Sequence, residues 1–418
     1  METPIRGAVI TVGGSPEPII KVLSWYPPEH VLFVVSEQSR GQIESIIVPA
    51  LPYRPQYEIA LMSNPDDLSS CYQDCRRQLE DWLRRWGLRG EETYFDYTGG
   101  TKTMSAALAL AAVDLIPRYH YVGGKRDKEG LGQVISGMET SVAGINPWIR
   151  LGLKYRQAAA HFYENGQAEQ AAILLEEAAE VATDRTQTLT AMAALCRILA
   201  RLDRLDVRNL SHELGRYQST LLTLFEQQGN LQACEWLREF RDRLLALQRE
   251  LEQEQTGQHP MALRELLACA RRRARQGYYD DAIARLYRAV ELFAQDRLAA
   301  AFGARLGIIR LDTLDPDTAA RLREAFPTRL GEDGVSLKLG VRDCFRALEF
   351  SPRAEDRGSS ALYDRLKPVL ELRNQSWLAH GTRPASREDY ERMWSAVLET
   401  LGIAEEEIPD WPPLRFDV

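Results

Sequence analysis

From Gly7 to about Pro147 short β-rich runs alternate with amphipathic ones, and after Ile149 the β-rich runs almost vanish. No other feature of the chain constrains its fold as much as this change of period. GAVITV, VLFVV, YEIALM, TYFDY and YHYVGG read as strands, and PEPIIKVLSWY, GQIESIIVPAL, LSSCYQDCRRQLEDWLRRWG and TMSAALALAAVDLI read as helices. Near-continuous apolar strands interleaved with helices predict a largely parallel sheet covered on both faces, a Rossmann-like α/β domain. QVISGM reads as one more strand near the edge of that sheet.

The second half reads as all-α. LKYRQAAAHFYENGQAEQAAILLEEAAEVA, TLTAMAALCRILARL and ACEWLREFRDRLLALQRELEQE carry helical periodicity throughout. ENGQAEQAAILLEEA and RQGYYDDAIARLYRAVE each place a Gly turn before an Ala-rich amphipathic run, a pattern resembling tetratricopeptide hairpins. Two copies are too few for a solenoid. The polar stretch EQEQTGQHP, ending at Pro260, is the best internal boundary. The expected organisation is therefore 1–148, 149–258 and 259–418.

A chain of 418 residues exceeds what one core usually serves, which agrees with more than one domain. The formal charge of -8 argues against nonspecific binding of long nucleic acids through a broad cationic face, and leaves room for a small, local cationic site. Six cysteines are scattered along the chain, and the closest pair, Cys71 and Cys75, has the i, i+4 spacing of one helix face. No further Cys or His lies near that pair in sequence to complete a zinc site, so no metal is expected and reduced thiols of a cytoplasmic protein fit. METPIRGAVITV lacks the basic region and longer apolar core of a signal peptide. The most apolar helix-like stretch, MSAALALAAVDLI, carries Asp114 and falls short of the roughly 20 residues that span a bilayer.

Two loops follow strands and precede helices. ITVGGSPEP puts Gly13, Gly14 and Ser15 directly after a strand, with Ser15 placed to cap the next helix and Pro16 suited to its first turn. DYTGGTKTM repeats the plan with Thr98, Gly99, Gly100, Thr101, Lys102 and Thr103. Glycines let an anion approach the backbone, and a helix N-terminus adds partial positive charge. In a parallel sheet both loops lie at the carboxyl edge, where open α/β folds bind ligands, so a nucleotide-like anion is expected. GGSPEP lacks the third Gly of the dinucleotide fingerprint and GGTKT lacks the leading Gly of a P-loop. Glu37, at the end of FVVSE, is placed to meet a ribose and keeps a nicotinamide-dependent enzyme as an alternative.

ELRNQSWLAHGTRP holds Arg373, Asn374 and His380. On a continuous helix, seven residues turn through about 700° and rise about 10.5 Å, so Arg373 and His380 would share a face without touching. An extended substrate, or a second copy across a dimer axis, would bring them into one site. The residue types suit phosphodiester cleavage: Arg stabilises charge building on phosphate oxygens and His moves a proton near neutral pH. RNA brings its own nucleophile, the ribose 2′-OH, whose attack needs no metal and leaves a cyclic phosphate and a free 5′-OH. Asn374 is placed to orient the imidazole or a phosphate oxygen. The plain alternative is an exposed Arg and a His near a helix end, in a non-catalytic sensor whose helical half recruits partners.

RNQSWLAHG resembles the R-x(4-6)-H signature of HEPN ribonucleases, with Asn directly after Arg. Together with a Rossmann-like domain carrying TVGGSPEP and DYTGGTKTM, it is similar to the CARF-HEPN ribonucleases that accompany type III CRISPR systems. GYYDDAIARLYRAVELFAQDRL, Gly277 to Leu298, resembles the helical segment before the motif in one branch of that family. The resemblance implies a CARF domain that binds a cyclic oligoadenylate, of four or six adenylates, through Gly13 to Ser15 and Thr98 to Thr103. It implies a homodimeric, cytoplasmic, metal-independent endoribonuclease acting on single-stranded RNA, with Arg373 and His380 as the catalytic pair supported by Asn374. Some CARF domains also cleave their activator slowly, and the hydroxyls of Ser15, Thr98 and Thr101 leave that open here. The middle helices, about Arg150 to Gln258, are least covered by the resemblance.

Overall fold

A computed structural model describes residues 4–126, 134–182, 185–252, 258–376 and 381–416. The chain divides into two compact units, residues 1–157 with 177–186 and residues 158–176 with 187–418.

The first unit is a six-stranded sheet of order β3-β2-β1-β4-β5-β6. Its strands are β1 Gly7–Thr11, β2 His30–Val35, β3 Gln56–Leu61, β4 Thr93–Asp96, β5 Arg118–Arg126 and β6 Val134–Ile145. The first five run parallel, and β6 pairs antiparallel with β5, so the QVISGM run is the edge strand expected of it. The order reverses between β1 and β4, which places the topological switch point at their carboxyl ends.

Both faces of β1 are buried, as a parallel strand requires. Ala8, Ile10 and Val12 pack with Ile19, Val22 and Leu23 of α1 (Glu17–Trp25) and with Phe33. Val9 packs on the other side with Cys71, Cys75, Leu79 and Trp82 of α4 (Leu68–Trp86) and Met104 and Leu108 of α5 (Lys102–Ala112). Cys71 and Cys75 are thus core residues on one helix face, and burial pushes the Cys75 thiol up to about 12. Asp67 caps α4 by accepting from the Ser70 amide at 2.7 Å.

The run GQIESIIVPAL is less regular than its periodicity predicts: a π-helical turn, Ile43–Ile47, joins the short helices α2 (Glu37–Arg40) and α3 (Val48–Ala50). Pro49 has no amide hydrogen to donate to a helix ladder, and Leu51 is already extended.

After the short α6 (Pro147–Arg150) the chain is helical: α7 Leu153–Glu164, α8 Ala168–Val181, α9 Thr186–Leu202, α10 Leu210–Gln227 and α11 Leu231–Glu252. Then come α12 Pro260–Arg275, α13 Tyr279–Phe302, α14 Pro316–Ala325, α15 Val341–Leu348, α16 Ser359–Gln375 and α17 Arg387–Leu401. A two-stranded ladder, β7 Ile308–Arg310 with β8 Ser336–Lys338, interrupts this half; three-residue strands leave no readable alternation.

Both Gly turns singled out by the sequence are real, with Gly166 at φ +74° between α7 and α8 and Gly277 at φ +81° between α12 and α13. In the second unit α13 is the central element: α12, α15, α16 and α17 all pack against it, and Ile283, Leu286, Ala289, Val290 and Leu298 are fully buried. Arg272 of α12 is buried between Asp203, at 2.7 Å, and Glu265, at 2.8 Å, with its guanidinium 5.0 Å above Trp411. The C-terminal segment is tied down through its backbone: Tyr163, Trp236 and Asn230 donate to the carbonyls of Pro412, Asp410 and Pro413. Among the described residues no helix is long and apolar enough to cross a membrane.

Candidate functional site

The two glycine loops meet, backbone against backbone. A Cβ on Gly13 would stand 2.6 Å from the Gly100 amide, and one on Gly99 would collide with the Thr11 carbonyl. Thr11, fully buried at the end of β1, donates its hydroxyl to the Gly99 carbonyl at 2.7 Å, and Ser105 donates to the same oxygen at 2.8 Å. Only glycine allows this approach, so packing between the loops by itself explains the sequence pattern.

The threonines serve the chain's own backbone. Thr98 Oγ1 accepts from the Val122 amide at 2.7 Å, which fixes the loop to β5. Thr101 is the N-cap of α5, accepting from Met104 at 3.1 Å and donating to the Pro65 carbonyl at 2.8 Å. What the loop presents outward is the exposed Lys102 and the half-buried Thr103, at the partly positive N-terminal end of α5.

The helix after Gly13, Gly14 and Ser15 is built differently from the expectation. The N-cap of α1 is Pro16, with no side-chain cap bond, and Ser15 lies exposed one residue earlier. Pro16 and Pro18 lack amide hydrogens and Glu17 adds a carboxylate to the first turn, so α1 offers an anion much less than α5 does. Glu37 stands exposed in the first turn of α2, 3.9 Å from Arg40.

Beneath the Thr98 loop lies a residue the sequence reading quoted without singling out. Asp96, the last residue of β4, is fully buried, accepts from the Thr98 amide at 2.9 Å through Oδ1, and leaves Oδ2 with no partner among the described residues. Burial raises its pKa to about 6, against the opposing pull of the Thr98 bond. His120, in register with Asp96 on β5, stacks on Tyr94 at 4.4 Å; burial, with Arg118 nearby, lowers its pKa to about 4. The signal in sequence was an acidic residue ending an otherwise apolar strand.

In the second unit Arg373 occupies the last turn of α16. The helix ends at Gln375, and Ser376 is extended at ψ 158°. The continuous-helix spacing of seven residues therefore does not apply, because regular rise and turn stop five residues before His380. His380 itself lies outside the described residues. The chain returns at Gly381, whose amide donates to the Ser376 carbonyl at 3.2 Å, and Arg383 donates to the Gln375 carbonyl at 3.2 Å. A Cβ on Gly381 would collide with the Gln375 carbonyl, so the glycine of the motif is required by this return.

Arg373 and Asn374 are in contact, Nη1 donating to Oδ1 at 3.4 Å, a long hydrogen bond. A second neighbour is Tyr287 of α13, with the Arg373 Cζ 4.8 Å from its ring centroid. Burial raises the Tyr287 pKa, Glu291 adds to the shift and Arg373 opposes it. Tyr363 of α16 is likewise raised by burial and held back by Arg342. Tyr287 and Tyr363 were not foreseen: Tyr287 precedes Arg373 by 86 positions, and its tyrosine fits a helix face without further meaning. Among the described residues no group of three His, Cys, Asp or Glu is placed to hold a metal ion.

A family model described as the Csm6 HEPN domain matches residues 252–403, a span that includes α12, α13, the Tyr287–Arg373 contact and His380. Residues 252–403 are thus similar to the Csm6 HEPN domain. The chain's fold as a whole is similar to that of Enterococcus italicus Csm6, solved bound to cyclic hexa-2′-fluoro-hexa-dAMP: the match covers 97% of this chain and 95% of that one, at 12% identity and a TM-score of 0.61. The layout is thus a sheet domain followed by helices, the last of which lie in the span similar to the Csm6 HEPN domain. Two other structures match with TM-scores too low to bear on this chain. A type III CRISPR defence DNA nuclease activated by cyclic oligoadenylate gives 0.25, at 14% identity over 49% of this chain and 35% of its own. Can2 from Sulfobacillus thermosulfidooxidans, in complex with cyclic tetra-adenylate, gives 0.24, at 13% identity over 53% and 67%. Comparison with curated proteins gives no match.

Proposed function

We propose that this protein is a type III CRISPR endoribonuclease switched on by a cyclic oligoadenylate. Residues 1–148 form the sensor, 149–258 the middle region and 259–418 the effector. The observation that carries the reading is Arg373: a HEPN-domain arginine on the last turn of α16, held by an aromatic face and directly followed by Asn374.

In the effector, Arg373 binds the scissile phosphate of single-stranded RNA and stabilises the charge that builds on its oxygens. His380 takes the proton of the ribose 2′-OH or gives one to the leaving 5′ oxygen, and Asn374 fixes Arg373 or a phosphate oxygen. Attack by the 2′-OH forms the bond to phosphorus as the bond to the 5′ oxygen breaks, giving a 2′,3′-cyclic phosphate and a 5′-OH. A second copy of the chain supplies a second set of these residues.

In the sensor, the α5 end with Lys102 and Thr103, and the loop of Gly13, Gly14 and Ser15, receive the ring of phosphates; Thr98 and Thr101 shape the loop that leads into α5. The ligand shifts the population toward the cutting arrangement only if it binds that arrangement more tightly. The reading is tested by incubating the intact protein with fluorescent RNA and cyclic tetra- and hexa-adenylate in excess EDTA, then analysing product ends. Cleavage with one ring, giving cyclic phosphate and 5′-OH ends, is expected. No cleavage with any ring, or cleavage that EDTA abolishes, would overturn the reading as stated.

A further inference from the structure

We propose that Tyr287 is a positioning residue, whose ring face holds the Arg373 guanidinium in the orientation that meets phosphate; this rests on the ribonuclease reading above. Many arginines of the second unit are held by carboxylates: Arg272 by Asp203 and Glu265, Arg297 by Asp356, Arg383 by Asp389, Arg387 by Glu391. Among the described residues Arg373 has no carboxylate within ion-pair distance, and its guanidinium carbon sits 4.8 Å from the Tyr287 centroid. The acid one turn along α13, Glu291, is drawn off by Arg288 at 2.7 Å.

The difference matters for chemistry on an anion. A carboxylate partner would occupy the N–H edge of the guanidinium and cancel the charge that attracts phosphate. An aromatic face uses the other surface of the group: it attracts the cation through the ring quadrupole and leaves the N–H edge and the full positive charge available. The ring can do this because it is itself fixed. Tyr287 is half-buried on α13, the element against which α15 and α16 both pack, so ring and guanidinium are carried by two helices in direct contact. A side chain on the last turn of a helix, with the backbone turning away at Ser376, otherwise lacks the neighbours that fix an arginine rotamer.

The test is a set of three variants assayed in the activated full-length protein. Tyr287→Leu keeps an apolar side chain and removes the π face; kcat on RNA is expected to fall about tenfold with KM nearly unchanged. Tyr287→Phe keeps the face and loses only the hydroxyl, and is expected to restore kcat to within about twofold of the parent. In an Arg373→Lys background the Tyr287→Leu change is expected to cost less than half as much, since the held group is altered. Binding of a non-cleavable RNA with 2′-deoxyribose at the scissile position, read by anisotropy, reports whether each variant stays folded. If Tyr287→Leu cuts like the parent, or Tyr287→Phe is as impaired as Tyr287→Leu, the proposal is overturned while the ribonuclease reading stands. Undiminished cleavage by Arg373→Ala would remove the reading itself.

Discussion

The loops at the carboxyl edge of the sheet and the end of α16 build their sites from opposite materials. At the sheet, the fit is backbone on backbone: Gly13 and Gly99 leave no space for a Cβ, and the hydroxyls of Thr11, Thr98 and Thr101 bond to main-chain atoms. At α16 the fit is made by side chains, a guanidinium over a phenol ring with an amide beside it. The first arrangement fixes a shape, to which the activator of the proposed function must conform. The second presents charge, and needs its surroundings only to aim it. Sensor substitutions should therefore act through fit and stability, and effector substitutions through rate.

The largest effect expected is at the effector. Arg373→Ala and His380→Ala should each lower the activated cleavage rate by at least about a hundredfold, the scale for removing a group that acts on the transition state. Each should bind cyclic oligoadenylate as the parent does, as calorimetry would show. A loss of activator binding in Arg373→Ala would break the division between the two sites.

At the sensor, Gly99→Ala drives a methyl group into the Thr11 carbonyl and should cost about 1–3 kcal/mol of stability, measured by denaturant unfolding. The activator concentration giving half-maximal cleavage should rise about tenfold or more, with the plateau rate retained. An unchanged midpoint would show that the loop packing is not what shapes the ligand site.

A smaller effect is expected from Asp96. Its folded pKa of about 6 lies above the ordinary 3.8, so the unfolded chain releases this proton first, and stability is lost as pH rises from about 4 to about 6. Asp96→Asn should therefore raise stability at pH 7 by about 1–3 kcal/mol, with the gain fading toward pH 4. Thermal melts across that range check it; a gain that persists at pH 4 would point to a packing effect instead.

Much of this was readable before the structure, for physical reasons that also explain the misses. Apolar runs such as VLFVV and TYFDY have the length and bounds of buried strands, and QVISGM was recognisable as an edge strand. Ser15 was expected to cap α1, because Ser before Pro is a common cap; the structure starts the helix one residue later, at Pro16 as N-cap. The helical spacing of Arg373 and His380 could not survive a break, and nothing in RNQSWLAHG marks Ser376 as the residue where the helix stops. Tyr287 was invisible for a different reason: a contact between α13 and α16 has no local trace in sequence, and a tyrosine facing a neighbouring helix reads as ordinary core.

The most direct measurement is the initial rate of cleavage of fluorescent single-stranded RNA by the intact protein, with and without cyclic tetra- or hexa-adenylate, beside Arg373→Ala. The account predicts little cutting without the ring, rapid cutting with one of the two, and none by the variant under either condition. Equal rates with and without activator, or undiminished cutting by Arg373→Ala, would contradict it.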